Sequence, residues 1–413
     1  MQKIVYAENF TAPTGSPIRE LFPYLSRPDM ISFAGGYPSA TLFDTDGLEY
    51  ASAEAMRDSR KVLQYGSTEG LETLRQRLLE LSQLRGITAG GKNLLVTTGS
   101  QQAFDLIVRV MVNSGDSVAL ETPAYPAAIQ ALRLVGAQMH EFCADNSGLD
   151  TQLLEQHLLH QSGRQKPKLL YTVPNYSNPG GSLMSEERRR HVVELAITHE
   201  FMIVEDDPYG ELNFTGKRLP TLYQIGRDLV GDANPVLYIS SLSKTIAPAL
   251  RIGWMLGPPE LIRRCVIAKQ TTDLCGSLIT QTIAATYLGL NRYQGCVARS
   301  TQEYAKRMQT LALELSTRLG SRVCFQKPQG GLFLWVRLAE GIDPERLFQA
   351  AVDSNVLFVP GAAFYPTPPK LPAIRLSFAN TTIKDIESGV ARLQNAFDIL
   401  GSHSAKFVPY EAA

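Results

Sequence analysis

The chain has 413 residues, and its 40 Lys and Arg balance its 40 Asp and Glu, which gives a formal net charge of zero. A neutral chain has no general attraction to nucleic acid or to anionic lipid, and at about 150 residues per domain this length predicts two or three domains. No stretch approaches the roughly 18 consecutive apolar residues of a membrane span, and Met1–Phe10 contain no secretory apolar region. We therefore expect a soluble, cytoplasmic protein with no nucleic-acid or membrane partner.

The cysteines and histidines give no indication of a disulfide framework or a metal site. The 5 cysteines are scattered, odd in number and never in a C-x-x-C arrangement. His157 and His160 have the i, i+3 spacing that can bind a metal on a helix, but no Cys or carboxylate cluster accompanies them. We expect no bound metal.

The middle of the chain alternates short apolar strands with amphipathic helices. The stretch before residue 45 is rich in Pro and Gly and predicts an extended arm. Helices are predicted at 101–113 and 186–199, the second with Ser185 as its N-cap. Apolar runs predict strands at 94–98, 117–121, 169–173, 201–205 and 236–240. Strands that alternate with helices indicate a mostly parallel sheet covered by helices, so the fold class is α/β.

The C-terminal third has a different pattern. Apolar residues spaced by three or four predict a long helix that includes 304–319 and a final helix over 383–400, with strands near 332–336 and 373–378 between them. This is an α+β pattern and predicts a second, smaller domain. We expect residues 1–44 to form an arm that joins the small domain, 45–295 the large domain and 296–413 the small C-terminal domain.

A serine-rich turn after a predicted strand is the most informative segment. Ser240-Ser241-Leu242-Ser243-Lys244-Thr245 offers hydroxyl and backbone N–H groups that suit a phosphate, and Arg251 can add a two-pronged contact. A lysine held beside a bound aldehyde can form a Schiff base. Taken alone, the segment is equally compatible with a surface turn that carries a solvated lysine.

Other polar groups also follow strands, where ligands bind in α/β sheets. Asp206, in Asp206-Asp207-Pro208-Tyr209, can pair with a pyridine ring nitrogen, although acidic turns are common. Gly99-Ser100-Gln101 can bind an anion at a helix N-terminus or can be a plain strand–helix turn. Asn178-Pro179-Gly180-Gly181 is a strong turn signal that also leaves Asn178 as a neutral donor.

Arg375 interrupts an otherwise apolar predicted strand, Ile374-Arg375-Leu376-Ser377-Phe378. A buried arginine needs an anionic partner. From the residues alone, that partner is either a protein carboxylate or the carboxylate of a substrate.

Each motif is ambiguous, but the ordered set resembles the fold-type-I, pyridoxal-phosphate-dependent aminotransferases of class I/II. The resemblance runs from about Ile18 to Leu400. Ser16-Pro17-Ile18-Arg19-Glu20 and Ile31-Ser32-Phe33-Ala34-Gly35-Gly36 are similar to the 2-aminoadipate/kynurenine aminotransferase branch. The motifs that carry it are Tyr65-Gly66, Gly99-Ser100-Gln101, Asn178-Pro179, Asp206-x-x-Tyr209, Ser241-x-Ser243-Lys244, Arg251 and Arg375.

The resemblance implies a mostly parallel, seven-stranded-type sheet flanked by helices, and a role for each motif. Lys244 would form a Schiff base with pyridoxal phosphate and later act as the base, Asp206 would pair with the ring nitrogen, and Tyr209 and Asn178 would contact the ring's phenolate oxygen. Tyr125 would stack on the ring. The phosphate would be held by Ser100, Gln101, Ser241, Ser243 and Arg251.

For the substrates, the resemblance implies an amino acid and a 2-oxo acid, and we expect 2-oxoglutarate as the acceptor. Arg375, with the backbone of Gly36 and with Asn178, would bind the α-carboxylate, and Arg19 matches a position near the distal end of the substrate. Tyr65 would reach the phosphate of a neighbouring subunit, which implies a homodimer with shared active sites.

Three other functions are compatible with parts of this pattern. A β-lyase or another amino-acid lyase would use the same cofactor and break a different bond. A regulator that binds pyridoxal phosphate would need a DNA-binding domain before the enzyme-like region, and no such segment precedes residue 18. A nicotinamide-binding enzyme would need G-x-G-x-x-G, which Gly99-Ser100-Gln101-Gln102 does not supply. The sequence favours an aminotransferase.

Overall fold

The structure is a computed structural model that describes residues 4–11, 15–161, 163–369 and 371–401. Parts of the predicted arm and of the predicted small domain (1–3, 12–14, 370 and 402–413) lie outside the described residues. The α-helices are α1 Phe22–Leu25, α2 Thr45–Arg57, α3 Ser59–Val62, α4 Glu72–Leu84, α5 Ser100–Met111, α6 Pro126–Val135, α7 Thr151–His160, α8 Glu186–His199, α9 Leu222–Val230, α10 Pro259–Gln270, α11 Leu278–Leu288, α12 Tyr293–Leu319, α13 Pro344–Asp353 and α14 Ile383–Ile399.

The strands form two main sheets and one short pair. They are β1 Ile31–Ser32, β2 Leu94–Thr97, β3 Ser117–Thr122, β4 Gln138–Asp145, β5 Gly148–Leu149, β6 Leu169–Thr172, β7 Met202–Asp206, β8 Val236–Ser241, β9 Gly253–Leu256, β10 Val323–Phe325, β11 Phe333–Leu338, β12 Val356–Leu357, β13 Val359–Pro360 and β14 Ala373–Ser377.

The large sheet confirms the α/β prediction. Its order is β2-β9-β8-β7-β6-β3-β4-β5, and the pairs β8·β7, β7·β6, β6·β3 and β3·β4 are parallel. Strand β9 runs antiparallel between β2 and β8. The two-residue strand β5 adds to the seven expected strands, because the chain turns back after β4 and pairs Ala144 with Leu149.

Most predicted element ends agree with the structure to within one or two residues. Ser185 is the N-cap of α8 as predicted, and its hydroxyl accepts a hydrogen bond from the Arg188 amide. The next strand begins at Met202 instead of Phe201, because Glu200 takes the left-handed conformation and the Phe201 amide still bonds to the last turn of α8.

The smaller sheet and the C-terminal helices form the second unit. Its order is β10-β11-β14-β13, and helices α12 and α14 pack against each other beside it. The arm reaches this unit through β1, which pairs in parallel with β12. Helix α12 starts at Tyr293, earlier than its apolar spacing predicts, and crosses the predicted boundary at 295/296. We propose that the chain divides at the start of this helix, with the arm belonging to the small domain.

Helix α12 is long, but neither it nor any other helix in the described ranges is both long and apolar enough to cross a membrane.

The parallel strands position the polar motifs found in the sequence. Strands β6, β7 and β8 are neighbours and point the same way, so their carboxyl ends meet at one edge of the sheet. The Asn178 turn, Asp206 and the Lys244 turn follow these three ends. Strand β14 of the small sheet brings Arg375 to the same edge, where it contacts Asn178.

Candidate active site

A cavity of about 550 Å³ lies at the carboxyl ends of the parallel strands, between the large sheet, the arm and the small sheet. This volume is in the usual range for a small-molecule site. All of the sequence-predicted site residues except Tyr65 line it: Arg19, Gly36, Ser100, Gln101, Tyr125, Asn178, Asp206, Tyr209, Ser241, Ser243, Lys244, Arg251 and Arg375.

Lys244 lies in the turn after β8, and its amine points across the cavity to the arm. Its Nζ donates a hydrogen bond to the carbonyl of Gly36 at 2.7 Å. Burial lowers the pKa of Lys244 to about 8, the positive charges of Arg375 and Arg251 act in the same direction, and Asp206 opposes them. A neutral lysine amine, which is the form that attacks an aldehyde or accepts a proton, is therefore available near physiological pH.

Asp206 ends strand β7 and presents a carboxylate oxygen that has no partner. Its Oδ2 accepts a hydrogen bond from the hydroxyl of Tyr171 at 2.7 Å, whereas the buried Oδ1 has no hydrogen-bond partner within the described residues. Burial, assisted by the neighbouring Asp207, raises the pKa of Asp206 to about 7. A buried polar atom without a partner is expensive, so Oδ1 fits the N–H group of a protonated ring.

A turn, a helix N-terminus and an arginine form an anion cradle at one end of the cavity. Gly99 has a φ of +81°, and a Cβ added to it would lie 2.5 Å from Nη2 of Arg251, so the position requires glycine. Helix α5 begins immediately after it, at Ser100. The Arg251 guanidinium donates to the carbonyls of Thr98 and Pro248 and pairs with no carboxylate of the described chain. These donors suit a phosphate.

Arg375 is fully buried in the middle of β14 and has no carboxylate partner among the residues described. Its Nη1 donates to Oδ1 of Asn178 at 2.8 Å and its Nη2 to the carbonyl of Ala34 at 2.5 Å, while Nε has no partner. The guanidinium lies 4.3 Å from the centre of the Phe333 ring. Burial lowers the pKa of Arg375 to about 10. The protein-carboxylate alternative left open by the sequence therefore has no support here, and a ligand carboxylate fits the site.

Gly36 and two tyrosines complete the walls. A Cβ on Gly36 would lie 3.0 Å from Cζ of Phe333, so a side chain there would press on the ring that packs against the Arg375 guanidinium. Tyr209 is buried with its ring edge-on to Phe333, and burial raises the pKa of its hydroxyl well above the ordinary range. Tyr125 caps the start of α6, and burial also raises its pKa. Both phenols are therefore neutral hydrogen-bonding groups.

Two predicted residues lie away from the centre of this cavity. Tyr65 is 77% exposed and lines a separate open cleft together with Gly66 and Leu278, so it does not contribute to the site within its own chain. Arg19 lies in a short 3₁₀ turn, Arg19–Leu21, and lines the cavity from the arm.

The sequence reasoning missed Tyr171 and Tyr37, which also line the cavity. Tyr171 lies in β6 and holds Asp206. A tyrosine within an otherwise aliphatic buried strand was a signal, because a buried phenol needs a hydrogen-bond partner. Tyr37 follows Gly36 in the arm, and no local pattern distinguishes it from an exposed aromatic residue.

Comparison with known proteins agrees with this geometry. The family model for aminotransferase class I and II matches residues 41–393. The chain belongs to this family. It is 35% identical to an aromatic-amino-acid aminotransferase of Thermococcus litoralis, over 94% of this chain and 93% of that protein. It is 34% identical to a 2-aminoadipate transaminase of Thermus thermophilus, over 96% of this chain and 98% of that protein.

A solved structure gives the same result for the fold. The alpha-aminoadipate aminotransferase of Thermus thermophilus, solved with N-(5'-phosphopyridoxyl)-L-leucine, superposes with a TM-score of 0.87 and 32% sequence identity, covering 96% of this chain and 97% of that one. The class I and II aminotransferase described here therefore has the fold-type-I architecture, uses pyridoxal phosphate and transfers amino groups.

Proposed function

We propose that the cavity around Lys244 is the active site and that it moves the α-amino group of an amino acid to a 2-oxo acid, with 2-oxoglutarate as the acceptor. One observation carries this proposal: the cavity collects an unpaired buried carboxylate oxygen on Asp206, a lysine amine with a lowered pKa and a buried arginine without a carboxylate partner. A cationic ring would pair with Asp206, an aldehyde would react with the lysine amine, and an α-carboxylate would pair with the arginine.

The residues present fit pyridoxal phosphate. Ser100 and Arg251 of the anion cradle, together with the neighbouring Gln101, Ser241 and Ser243, would hold its phosphate. Asp206 would hold its ring nitrogen. Tyr125 would stack on the ring, and Asn178 and Tyr209 would donate to the phenolate oxygen. When bound, this cofactor would supply an electron-withdrawing ring that makes the Cα proton of the substrate acidic.

The protein's own task is then to place the substrate and to move one proton. Lys244 Nζ, neutral in an appreciable fraction because of its lowered pKa, would take the proton from Cα and return it to the cofactor carbon that carried the aldehyde. The anionic form of Asp206, which a cationic partner favours, keeps the proton on the ring nitrogen. Tyr209 and Asn178 remain neutral and only orient.

Arg375 would bind the α-carboxylate of both substrates, and Gly36 leaves the space beside it. The relatives' names include aromatic amino acids and 2-aminoadipate. Because Arg19 in the arm lines the same cavity as Tyr125 and Arg375, we infer that the donor has a long or aromatic side chain. A comparison of amino donors with the Arg19→Ala variant tests the role of Arg19. A rise in KM that is confined to donors with acidic side chains supports a contact, and an equal rise for alanine contradicts it.

The cytoplasmic location expected from the sequence stays a prediction.

We further propose that the active unit is a homodimer. Tyr65 is exposed beside an open cleft in this chain, which agrees with a tyrosine that completes the phosphate site of a second copy. Sedimentation of the purified protein at twice the mass of the chain is the expected result. A monomer that is fully active at the same concentration would contradict shared sites.

Replacing Asp206 by Asn removes the negative charge while it keeps the size of the side chain. We expect Asp206→Asn to bind cofactor and to lose about 100-fold or more in transamination rate, because an amide does not hold the ring nitrogen protonated. The measurement is single-turnover kinetics. Asp116→Asn is the control, because Asp116 is a buried aspartate directly before β3, at the amino ends of the parallel strands and away from the cavity. Equal rates in the two variants would refute the role of Asp206.

Replacing Arg375 by Lys keeps the charge and removes the two-pronged geometry. We expect the KM values of the amino donor and of 2-oxoglutarate to rise together, by about 10-fold or more, because both substrates carry the same carboxylate. The measurement is glutamate formation from a panel of aromatic, aminoadipate-like and small donors. The control is Arg337→Lys, on the paired strand β11, where the side chain is exposed. A rise for only one of the two substrates would contradict the shared site.

A further inference from the structure

A second buried aspartate lies beneath the floor of the cavity and does not line it. Asp207 follows Asp206 directly and is only 3% exposed. Its Oδ1 accepts hydrogen bonds from Nδ2 of Asn175 at 3.0 Å and from the Gly210 amide at 2.9 Å. Its Oδ2 accepts one from the hydroxyl of Tyr238 at 3.0 Å, and its carbonyl accepts one from Oγ of Ser240 at 2.6 Å.

These four donors lie in, or directly before, the three loops that carry the chemistry. Asn175 is in the turn after β6 that leads to Asn178, and Gly210 follows Tyr209. Tyr238 and Ser240 lie in β8, just before Ser241 and the Lys244 turn. One carboxylate therefore ties together the segments that hold Asn178, Tyr209 and Lys244.

Two buried arginines close this network on either side. Arg85, at the end of α4, donates to the Tyr238 hydroxyl and to Oγ of Ser240, both at 2.8 Å. Arg189 in α8 donates to Oδ1 of Asn175 at 2.7 Å and to the carbonyl of Pro174 at 3.0 Å. The negative charge of Asp207 is thus placed between two positive charges, and both of its carboxylate oxygens accept hydrogen bonds. A fully satisfied buried network of this kind is rigid.

We propose that Asp207 is the positioning residue of the active site, which fixes Asn178, Tyr209 and Lys244 relative to one another through Asn175, Gly210, Tyr238 and Ser240. This inference rests on the proposed function of the cavity. Catalytic groups must be held to within about 0.5 Å of their working positions, and the residues packed behind them do this. Asparagine in place of Asp207 would offer one acceptor oxygen to donors that now use two.

The test compares Asp207→Asn with Asp116→Asn in the full-length protein. Asp116 is also buried and also accepts from a backbone amide, that of Asn113 at 2.7 Å, and from a charged partner, Lys168 Nζ at 2.6 Å. The measurements are the Kd of the apo-protein for pyridoxal phosphate, the circular dichroism of the bound cofactor, kcat, KM and thermal unfolding.

We expect Asp207→Asn to lower kcat by roughly 10- to 100-fold, as loss of a residue that orients a site does, with a much smaller change in KM. Its Kd for pyridoxal phosphate should rise, and the dichroism of the bound cofactor should weaken because the ring is held less firmly. Asp116→Asn should lower the unfolding temperature and leave these site measurements at the wild-type values.

The proposal would be overturned if Asp207→Asn lost thermal stability as Asp116→Asn does but kept its cofactor affinity, dichroism and kcat within about twofold of wild type. If Asp207→Asn does not fold, Tyr238→Phe decides, since it removes a single hydroxyl of the network. A loss of about threefold or more in kcat supports the proposal, and an unchanged kcat contradicts it. If the proposed function itself were wrong, the wild-type protein would show no transamination. That result is distinct from a variant that differs from an active wild type.

Discussion

The parallel pairing of β6, β7 and β8 is the constraint on which the rest of the structure depends. Because these strands are neighbours and run in one direction, their carboxyl ends deliver three loops to the same edge of the sheet. An amide, a carboxylate and an amine that are far apart in the chain thus face one cavity. The small sheet adds Arg375 to the same cavity, and the arm adds the carbonyl of Gly36.

Burial then gives these charged groups their chemical character. It raises the pKa of Asp206 to about 7, lowers that of Lys244 to about 8 and lowers that of Arg375 to about 10. In each case burial favours the neutral form, and among the described residues none of the three has a full ion-pair partner. A buried charge without a partner is destabilising, so the site favours ligands that bring the missing charges. Under the proposed function, a cationic ring would do this for Asp206 and a substrate carboxylate for Arg375.

Much of the fold and of the candidate site could be predicted from sequence, because most of the informative residues lie at strand ends. Apolar runs followed by Asp206, Lys244 or Asn178 indicate those ends, and an arginine within the apolar strand 373–378 indicates the side of the cavity that the small sheet forms. The sequence did not predict where α12 begins. In the helical turns before Tyr304, Gly295, Arg299 and Gln302 interrupt the apolar spacing by which the rest of the helix was predicted. Tyr171 and Asp207 were not assigned roles, because their partners come from other strands and depend on the order of strands in the sheet.

The same reason explains why Tyr65 differs from the other predicted residues. Tyr65 contributes to a site only where a second copy covers it. The spacing of apolar residues along one chain does not show which surface meets that copy. The large sheet, the small sheet and the arm of one chain position the residues that line the cavity, whereas the contribution of Tyr65 requires the second copy.

The most direct test of the account is to find where the cofactor is attached. Reduction of the holoenzyme with borohydride, followed by peptide mapping by mass spectrometry, should give a single phosphopyridoxyl group on the peptide that contains Lys244, and Lys244→Ala should give none. Labelling of a different lysine, or equal labelling of the Lys244→Ala variant, would contradict the central claim that this amine is the reactive group of the site.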